Sequence, residues 1–195
     1  MTQDISQTDT QIESLIIAMI NLDEGAFNDL LTRSILNRGF EDTFTGIVFP
    51  FLRRVGILWV TGTITPAQEH FVSYLIRQKL ISNIDSQIAR KREGKKRILL
   101  FLPENELHEL GLLFYTYISK KNGHDILYLG PQTPLDSLQR SVNIWPADVL
   151  VTGTSSDLSG VQKTGYINKL SESFPGQLII VTGKLVADAG SPPNV

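Results

Sequence analysis

Four short apolar runs, separated by helical stretches, constrain the fold of this chain more than any other feature. The runs lie within RILLFLP (97–103), DILYLG (125–130), DVLVTG (148–153) and QLIIVTG (177–183). The helical patterns between them cover residues 108–121, 134–144 and 161–174. This alternation predicts a parallel sheet with crossover helices, because parallel strands can be joined only by a long connection.

The first half of the chain, from about residue 10 to residue 93, has apolar side chains at the three- and four-residue spacing of helices. Its first three helical segments contain IESLIIAMI, AFNDLLTRSILNRG, which ends at Gly39, and FTGIVFPFLRRVGILW, in which Pro50 marks a kink or a start. The fourth has the clearest beginning, with Thr65 as cap, Pro66 in the first position and Gln68 completing a capping box. Four helices with short connections predict an antiparallel bundle.

The chain therefore combines two architectures. We predict an all-α domain over residues 1–93, a four-helix bundle, and an α/β domain over residues 94–195 with a Rossmann-like (flavodoxin-like) parallel sheet. The basic stretch ARKREGKKR (89–97) lies at the junction. It is interpreted as a solvated helix end and linker, with a phosphate-binding role as the alternative.

Composition narrows the classes of partner. The chain has 195 residues, which is enough for a sizeable core. Its 18 Lys and Arg nearly balance its 20 Asp and Glu, so it has no strong positive potential that would attract nucleic acid. Without cysteine, disulfides and thiolate metal sites are excluded, which agrees with a cytoplasmic location. The polar start lacks a signal-peptide pattern, and no apolar stretch approaches the roughly 20 residues of a membrane span.

Ligands of open parallel sheets bind outside the carboxyl ends of the strands. Three suggestive segments follow strands there, Glu106–Gly111, Thr152–Ser156 and Thr182–Gly183, and we expect them to line one edge.

In ENELHELG (104–111), Glu106 can accept a hydrogen bond from one imidazole nitrogen of His108, which makes the other nitrogen a better metal ligand. Gly111 leaves space for a large group. The alternative is a helix-capping loop with an incidental histidine.

Other chemistries fit the α/β half less well. No G-x-G-x-x-G follows the first strand, the Gly-Lys pairs at 94–95 and 183–184 lack the rest of a P-loop, and no serine stands in a nucleophile elbow. The chain has only three histidines, too few and too scattered for a closed zinc site. One histidine with a supporting carboxylate suits a metal whose other ligands come from a cofactor.

A second group of residues lies in the helical half. Trp59 ends the third helix, and Glu69 and His70 follow after nine residues at the start of the fourth. The turn between the helices can bring the three together as a lid over a flat cofactor. Alternatively, Trp59 is a core residue and Glu69 favours the positive end of its helix.

The Glu-x-His-x-x-Gly pattern formed by Glu106, Leu107, His108 and Gly111 resembles the cobalamin-binding motif of methionine synthase and its relatives. The resemblance implies that His108 replaces the benzimidazole of the cofactor as lower ligand of cobalt. The detached nucleotide tail would then enter a slot in the α/β domain. The residues implied for this slot are Thr152, Thr154, Thr182 and Gly183. The family has Gly-Gly where this chain has Thr182-Gly183, so the geometry of the tail is less defined than the ligation.

The pattern Trp, nine residues, Glu-His is similar to the signature of the cobalamin-dependent, light-responsive MerR-class repressors of carotenoid genes. RRVGILW, AQEHFVSYLIRQKL and LYLGPQTPLDSL are also similar, so that the resemblance covers roughly residues 20 to 184. It implies a non-enzymatic sensor in which Trp59, Glu69 and His70 cover the upper face of adenosyl- or methylcobalamin. Ligand state would control homo-oligomerisation, and DNA would be bound by a helix-turn-helix domain that this chain lacks.

The chain departs from this family in two further places. Light-sensing members have a histidine directly after the tryptophan, and this chain has Val60, so a bis-histidine photoproduct should not form through that residue. The sequence also stops at GSPPNV, where the family continues with a last strand and helix. Two alternatives stay open: a corrinoid carrier that serves a methyltransferase, and a degenerate dimerisation module without cofactor.

Overall fold

The computed structural model describes residues 2–88, 93–155, 159–185 and 192–195. The chain divides into two compact units, residues 1–78 and residues 79–195. The predicted boundary near residue 94 stays a prediction. The predicted linker falls partly on residues 89–92, which lie outside the described residues.

The helical unit consists of helices joined by short turns. Their bounds are α1 Thr2–Ile20, α2 Glu24–Arg38, α3 Phe40–Thr43, a π-helical turn Phe44–Val48, α4 Phe49–Val60 and α5 Pro66–Asp85, the last of which extends beyond the unit. Segments α3, the π-turn and α4 follow one another without a break, so the predicted four helices are present. The large side chains that are fully buried here are Leu15, Met19, Phe27, Leu31, Phe44, Ile47, Phe51 and Ile76.

Side-chain caps define where two of these helices begin. The Asp23 carboxylate accepts from the Ala26 N–H at 2.9 Å at the start of α2. At the start of α5, the Thr65 N–H donates to Gln68 Oε1 at 2.9 Å and the Gln68 N–H donates to Thr65 Oγ1 at 3.4 Å. The predicted capping box is therefore confirmed, and both caps satisfy amide groups that have no partner inside the helix.

The predicted third helix begins earlier than expected and passes through Pro50. The π-turn explains how: the Phe49 N–H donates to the Phe44 carbonyl, one residue beyond the α-helical partner. A proline inside an α-helix lacks an N–H and crowds the carbonyl four residues before it. The wider turn directly before Pro50 shifts this bonding pattern, and the helix continues instead of ending.

Among the described residues, the segment Phe40–Val60 is long and apolar enough to cross a membrane by length and composition alone. This differs from the expectation above that no apolar stretch approaches the length of a membrane span. Core helices of soluble proteins pass the same test, and parts of this segment contact α1 and α2. Its buried apolar side chains are Phe40, Phe44, Ile47, Val48, Phe51 and Val55.

The α/β unit contains the predicted parallel sheet. The strands are β1 Arg97–Phe101, β2 Asp125–Gly130, β3 Val149–Thr154 and β4 Leu178–Gly183, in the order β2-β1-β3-β4, and every pair is parallel. Helices α6 Leu110–Lys121, α7 Leu135–Ile144 and α8 Gly160–Ser173 connect them in turn. The strand order reverses between β1 and β3, and ligands of such sheets bind at this switch point.

Each face of the sheet has its own core. One packs against α7 and α8 and contains Leu99, Phe101, Leu138, Leu150, Leu170 and Ile179. The other packs against α6 and contains Ile98, Leu100, Leu112, Val149 and Val151. Successive strand residues point to opposite faces. Gly153 and Thr182, which are partners in the register, therefore lie on the α6 face, and Thr152 lies on the α8 face.

Candidate functional site

The loop after β1 buries a carboxylate. It leaves the sheet at Leu102, whose N–H donates to the Gly130 carbonyl at 2.9 Å, and it turns through Asn105, which has a φ of 67°. Asparagine tolerates this left-handed conformation better than most residues. The turn directs the side chain of Glu106 into the protein, where it is only 2% exposed.

Four short hydrogen bonds hold the Glu106 carboxylate. Oε1 accepts from the backbone N–H of His108 at 2.8 Å and contacts His108 Nδ1 at 2.7 Å. Oε2 accepts from Thr154 Oγ1 at 2.5 Å and from the Ser155 N–H at 2.7 Å. The carboxylate thus joins the loop after β1 to the end of β3, as expected for segments at the carboxyl ends of neighbouring strands.

These donors determine the charge of Glu106. Burial alone would raise its pKa, but the hydrogen bonds from Thr154, from the backbone and side chain of His108 and from the Ser155 N–H outweigh burial and hold the pKa well below its usual range. An ionised carboxylate can only accept hydrogen bonds, so Nδ1 of His108 must carry the proton. The unprotonated nitrogen of a neutral His108 is therefore Nε2.

His108 is the exposed partner of this pair, with 71% of its side chain accessible. Its neighbour Leu107 is also exposed. A Cβ added at Gly111 would meet no atom within 4 Å, and Gly111 is absent from the residues with positive φ. The fold itself therefore does not require glycine at position 111. Open space at this point agrees with the predicted room for a large group next to the histidine.

The three threonines predicted to line a slot lie in three different places. Thr154 bonds to Glu106, so its hydroxyl supports the histidine. Thr152 is buried on the α8 face next to Tyr166, and its hydroxyl makes no hydrogen bond of normal geometry within the described residues. Thr182 lies on the α6 face, where a Cβ at Gly153 would approach its Cγ2 to 2.6 Å. The structure therefore does not bring Thr152 and Thr182 together.

Gly183 is required by the backbone. Its φ is +66°, and a Cβ there would lie 2.5 Å from the Thr154 carbonyl. Glycine adopts this conformation without steric cost. The close approach of β4 to β3 at the carboxyl end of the sheet therefore depends on this residue.

The predicted residues of the helical unit lie at one end of a helix pair. Trp59 is exposed near the end of α4, and Glu69 and His70 lie in the first turns of α5, after the turn at residues 61–65. Glu69 Oε1 accepts from Ser73 Oγ at 2.6 Å, and its Oε2 lies 3.6 Å from His70 Nε2. The exposed Trp59 does not act as a core residue.

Three contacts of the α/β unit were missed from the sequence. The Ser155 N–H binds Glu106, Tyr128 Oη donates to Glu109 Oε2 at 2.5 Å, and Tyr115 Oη lies 3.1 Å from Thr182 Oγ1. Ser155 lies within the predicted segment Thr152–Ser156, but it binds Glu106 through its backbone N–H, which the residue type does not indicate. Across the described parts of the chain, no group of three or more His, Asp or Glu side chains could hold a metal ion.

The helical part of the chain matches a known family. Residues 11–81, which span most of α1 through α5, match the family described as the B12 binding domain. The chain is 29% identical over 180 residues to the HTH-type transcriptional repressor CarH of Myxococcus xanthus, an alignment that covers 92% of this chain and 59% of CarH. It is 34% identical over 94 residues to the repressor CarA of the same organism, covering 48% of this chain and 30% of CarA. The chain thus spans little more than half the length of one relative and less than a third of the other.

Two solved structures are also similar. One is a novel cobalamin-binding protein from Desulfitobacterium hafniense DCB-2, with 18% identity, a TM-score of 0.39 and coverage of 90% of this chain and 83% of that one. The other is the methanol:cobalamin methyltransferase complex MtaBC from Methanosarcina barkeri, with 15% identity, a TM-score of 0.43 and coverage of 92% and 70%. From the family match and the two repressors, the predicted resemblance of this chain to the cobalamin-binding region of MerR-type regulators is confirmed.

Proposed function

We propose that this chain binds cobalamin and serves as the cofactor-sensing part of a transcriptional regulator. The observation that carries the proposal is the exposed imidazole of His108, whose Nδ1 is held at 2.7 Å by the buried carboxylate of Glu106. The match of residues 11–81 to the B12 binding domain and the similarity to two repressors support the same function.

The donor set fits a corrinoid better than a protein-bound metal ion. A corrinoid supplies a cobalt ion whose corrin ring provides the equatorial ligands, so the protein needs to contribute only one axial nitrogen. His108 offers that nitrogen as Nε2. The open space at Gly111 leaves room beside it, and the described residues contain no cluster of three ligands for a bare ion.

Each residue of the network has a definite task in this proposal. Glu106 orients the imidazole and, as an anion, makes Nε2 a stronger donor. Thr154 and Ser155 keep Glu106 ionised and in place. Gly111 accommodates the ring, and Thr182 and Gly183 lie where the nucleotide tail would enter.

We further propose that the protein is a sensor without turnover. Trp59, Glu69 and His70 would contact the upper ligand, adenosyl or methyl, and the identity of that ligand would set the oligomeric state of a cytoplasmic repressor. Only a ligand that contacts two states differently can shift their populations, which is why the upper ligand matters. DNA binding would reside in a helix-turn-helix domain outside this chain, since both relatives are repressors of the HTH type.

Visible absorption spectra test cobalamin binding directly. The purified chain is mixed with adenosyl-, methyl- and hydroxocobalamin, free cofactor is removed, and the spectrum of the protein fraction is recorded. We expect retained colour and the band shift that accompanies replacement of benzimidazole by histidine. A folded protein that stays colourless with all three corrinoids would contradict the proposal.

The matched control uses a second histidine of the same unit. In His108→Ala we expect a large loss of affinity and no histidine-ligated spectrum. His124→Ala should bind normally, because the Nδ1 of His124 accepts from the Lys96 N–H at 3.2 Å, before the amino ends of β1 and β2 and at the opposite edge of the sheet. Equal losses in the two variants would argue against ligation by His108.

A further inference from the structure

The loop that carries His108 is anchored on both neighbours of β1. In the sheet, β1 lies between β2 and β3. Glu106, two residues before the histidine, bonds to Thr154 at the end of β3. Glu109, the residue directly after the histidine, accepts a hydrogen bond at 2.5 Å from Tyr128 Oη of β2. The exposed histidine therefore lies between two anchors, and the Glu-x-His-x-x-Gly pattern accounts only for the first.

The backbone of β2 brings the Tyr128 ring toward this loop. Tyr128 and Gly130 pair with the consecutive residues Leu100 and Phe101 of β1, so the register shifts by one residue between them. Gly130 has a φ of +77°, and a Cβ there would lie 3.2 Å from Cε1 of the Tyr128 ring. The ring thus lies against the glycine two residues farther along the strand, which is toward the carboxyl end of the sheet. The hydroxyl reaches Glu109 from this position.

Glu109 does not cap the following helix with its side chain. It stands directly before α6, where a side chain commonly accepts from the first free amides, and it makes no such bond. Its backbone is fixed on both sides, because its N–H donates to the Leu107 carbonyl at 2.9 Å and its carbonyl accepts from the Leu113 N–H at 2.8 Å. The carboxylate bonds to the sheet instead. A bond at this side chain therefore acts on the main chain that leaves His108.

We infer that Tyr128 is a positioning residue for His108 and acts through Glu109. The inference rests on the proposed function, in which His108 ligates cobalt. Glu106 sets the orientation of the ring, and the Tyr128 hydroxyl limits the movement of the main chain that follows the histidine. An exposed loop that is already held in place loses less conformational freedom when it binds a ligand. The hydroxyl therefore strengthens ligation by His108.

The binding test measures whether the hydroxyl acts through the histidine. Hydroxocobalamin is titrated into the full chain and followed by visible absorbance. Tyr128→Phe removes the hydroxyl and keeps the ring, Glu109→Ala removes the acceptor, and Glu109→Gln keeps an acceptor oxygen. The Tyr128→Phe substitution is also made in the His108→Ala background. Tyr117→Phe, at a buried tyrosine of α6, is the matched control for loss of a phenol hydroxyl.

We expect Tyr128→Phe and Glu109→Ala each to bind hydroxocobalamin about fivefold more weakly than wild type, the factor that corresponds to one net hydrogen bond. The double variant should lose no more than either single variant, because both substitutions remove the same bond. Glu109→Gln should retain most of the affinity. Tyr128→Phe should have no effect in the His108→Ala background, and Tyr117→Phe should match wild type.

Hydrogen exchange of the protein without cofactor provides a second measurement. The His108 N–H donates to Glu106 Oε1, and the Ser155 N–H, directly after β3, donates to Oε2 of the same carboxylate. In Tyr128→Phe we expect the His108 amide to exchange about fivefold faster, because the loop opens against one net hydrogen bond fewer. The Ser155 amide should exchange at the wild-type rate.

The outcomes separate this inference from the function on which it rests. If wild type binds no corrinoid, the proposed function is refuted, and the positioning role with it. The positioning role alone is refuted, and cobalamin binding stands, if Tyr128→Phe binds as well as wild type or loses the same factor with and without His108. Equal acceleration of both amides would show a general loosening and would also refute it. A loss of affinity that depends on His108, with faster exchange confined to the His108 amide, supports the inference.

Discussion

Oε1 of Glu106 lies 2.7 Å from Nδ1 of His108, and the same oxygen accepts the His108 backbone N–H at 2.8 Å. One carboxylate oxygen therefore fixes both the main chain and the ring of the histidine. The other oxygen is bound by Thr154 and Ser155 at the end of β3. The position of the imidazole is consequently set by two strands and not by its own loop alone.

Removing the carboxylate should affect both stability and ligation. Glu106→Ala leaves the Thr154 hydroxyl and the Ser155 N–H without their acceptor, and we expect a loss of about 1–3 kcal/mol in the free energy of unfolding. The imidazole also loses its orientation, so cobalamin affinity should fall. Urea unfolding and absorbance titration measure the two effects. Glu104→Ala, an exposed carboxylate of the same loop, is the control and should change neither.

The depressed pKa of Glu106 predicts a pH dependence of stability. Because its pKa is lower in the folded protein than in the unfolded chain, the ionised form favours folding. This contribution is complete above the unfolded value of about 4.5 and decreases as the pH falls below it. Urea midpoints measured from pH 6 to pH 3 should fall less steeply in Glu106→Gln, which cannot ionise. Parallel curves for the two proteins would contradict the prediction.

The valine at position 60 leads to a prediction about the spectrum after illumination. It is the last residue of α4, directly after Trp59, and its side chain is exposed and cannot ligate a metal. After illumination of the adenosylcobalamin complex, we expect no bis-histidine spectrum in wild type. Val60→His should produce that spectrum, and the double variant Val60→His, His108→Ala should lose it. A bis-histidine photoproduct in the wild-type protein would show that another histidine takes this role.

Substitution of Gln68 should lower the stability of the helical unit. It completes the cap of α5, and its Nε2 also donates to the Ile20 carbonyl at the end of α1, at 2.9 Å. Gln68→Ala should reduce the free energy of unfolding by about 1 kcal/mol, the usual contribution of a cap. Gln78→Ala, an exposed position of the same helix, should have little effect. Thermal or urea unfolding of the two variants distinguishes the cap from a general effect of the substitution.

The fold was largely predictable because its signals are local. Buried parallel strands read as short apolar runs, and each of the four runs forms a strand. The capping box at Thr65 could be predicted because its partners lie three residues apart. The Glu106–His108 contact could be predicted for the same reason. Each of these features depends on residues that are close in sequence.

The features that the sequence did not predict have three causes. Some join residues that are far apart in the chain, some involve backbone groups, and some depend on which face of the sheet a strand residue points to. The Tyr115–Thr182 bond joins an interior helix position to a strand end, and no sequence pattern pairs them. The Ser155 amide that binds Glu106 is a backbone group, which every residue except proline has. The division of Thr152 from Thr182 follows from strand alternation once the register of β3 and β4 is known. The π-turn before Pro50 was not predicted, because the sequence indicated only a kink or a helix start at Pro50.

The π-turn also determines the direction in which Trp59 points. A π-helical turn holds one residue more than an α-helical turn, and each α-helical residue advances the chain by about 100°. Deleting one residue from Phe44–Val48 would therefore turn the whole of α4 by about that angle. Phe51 and Val55 would leave the interior, and the side chain of Trp59 would point in a different direction around the helix axis. The extra residue of the π-helical turn thus sets the rotation of α4 about its axis. With this rotation, Phe51 and Val55 are buried while Trp59, near the end of the same helix, is exposed.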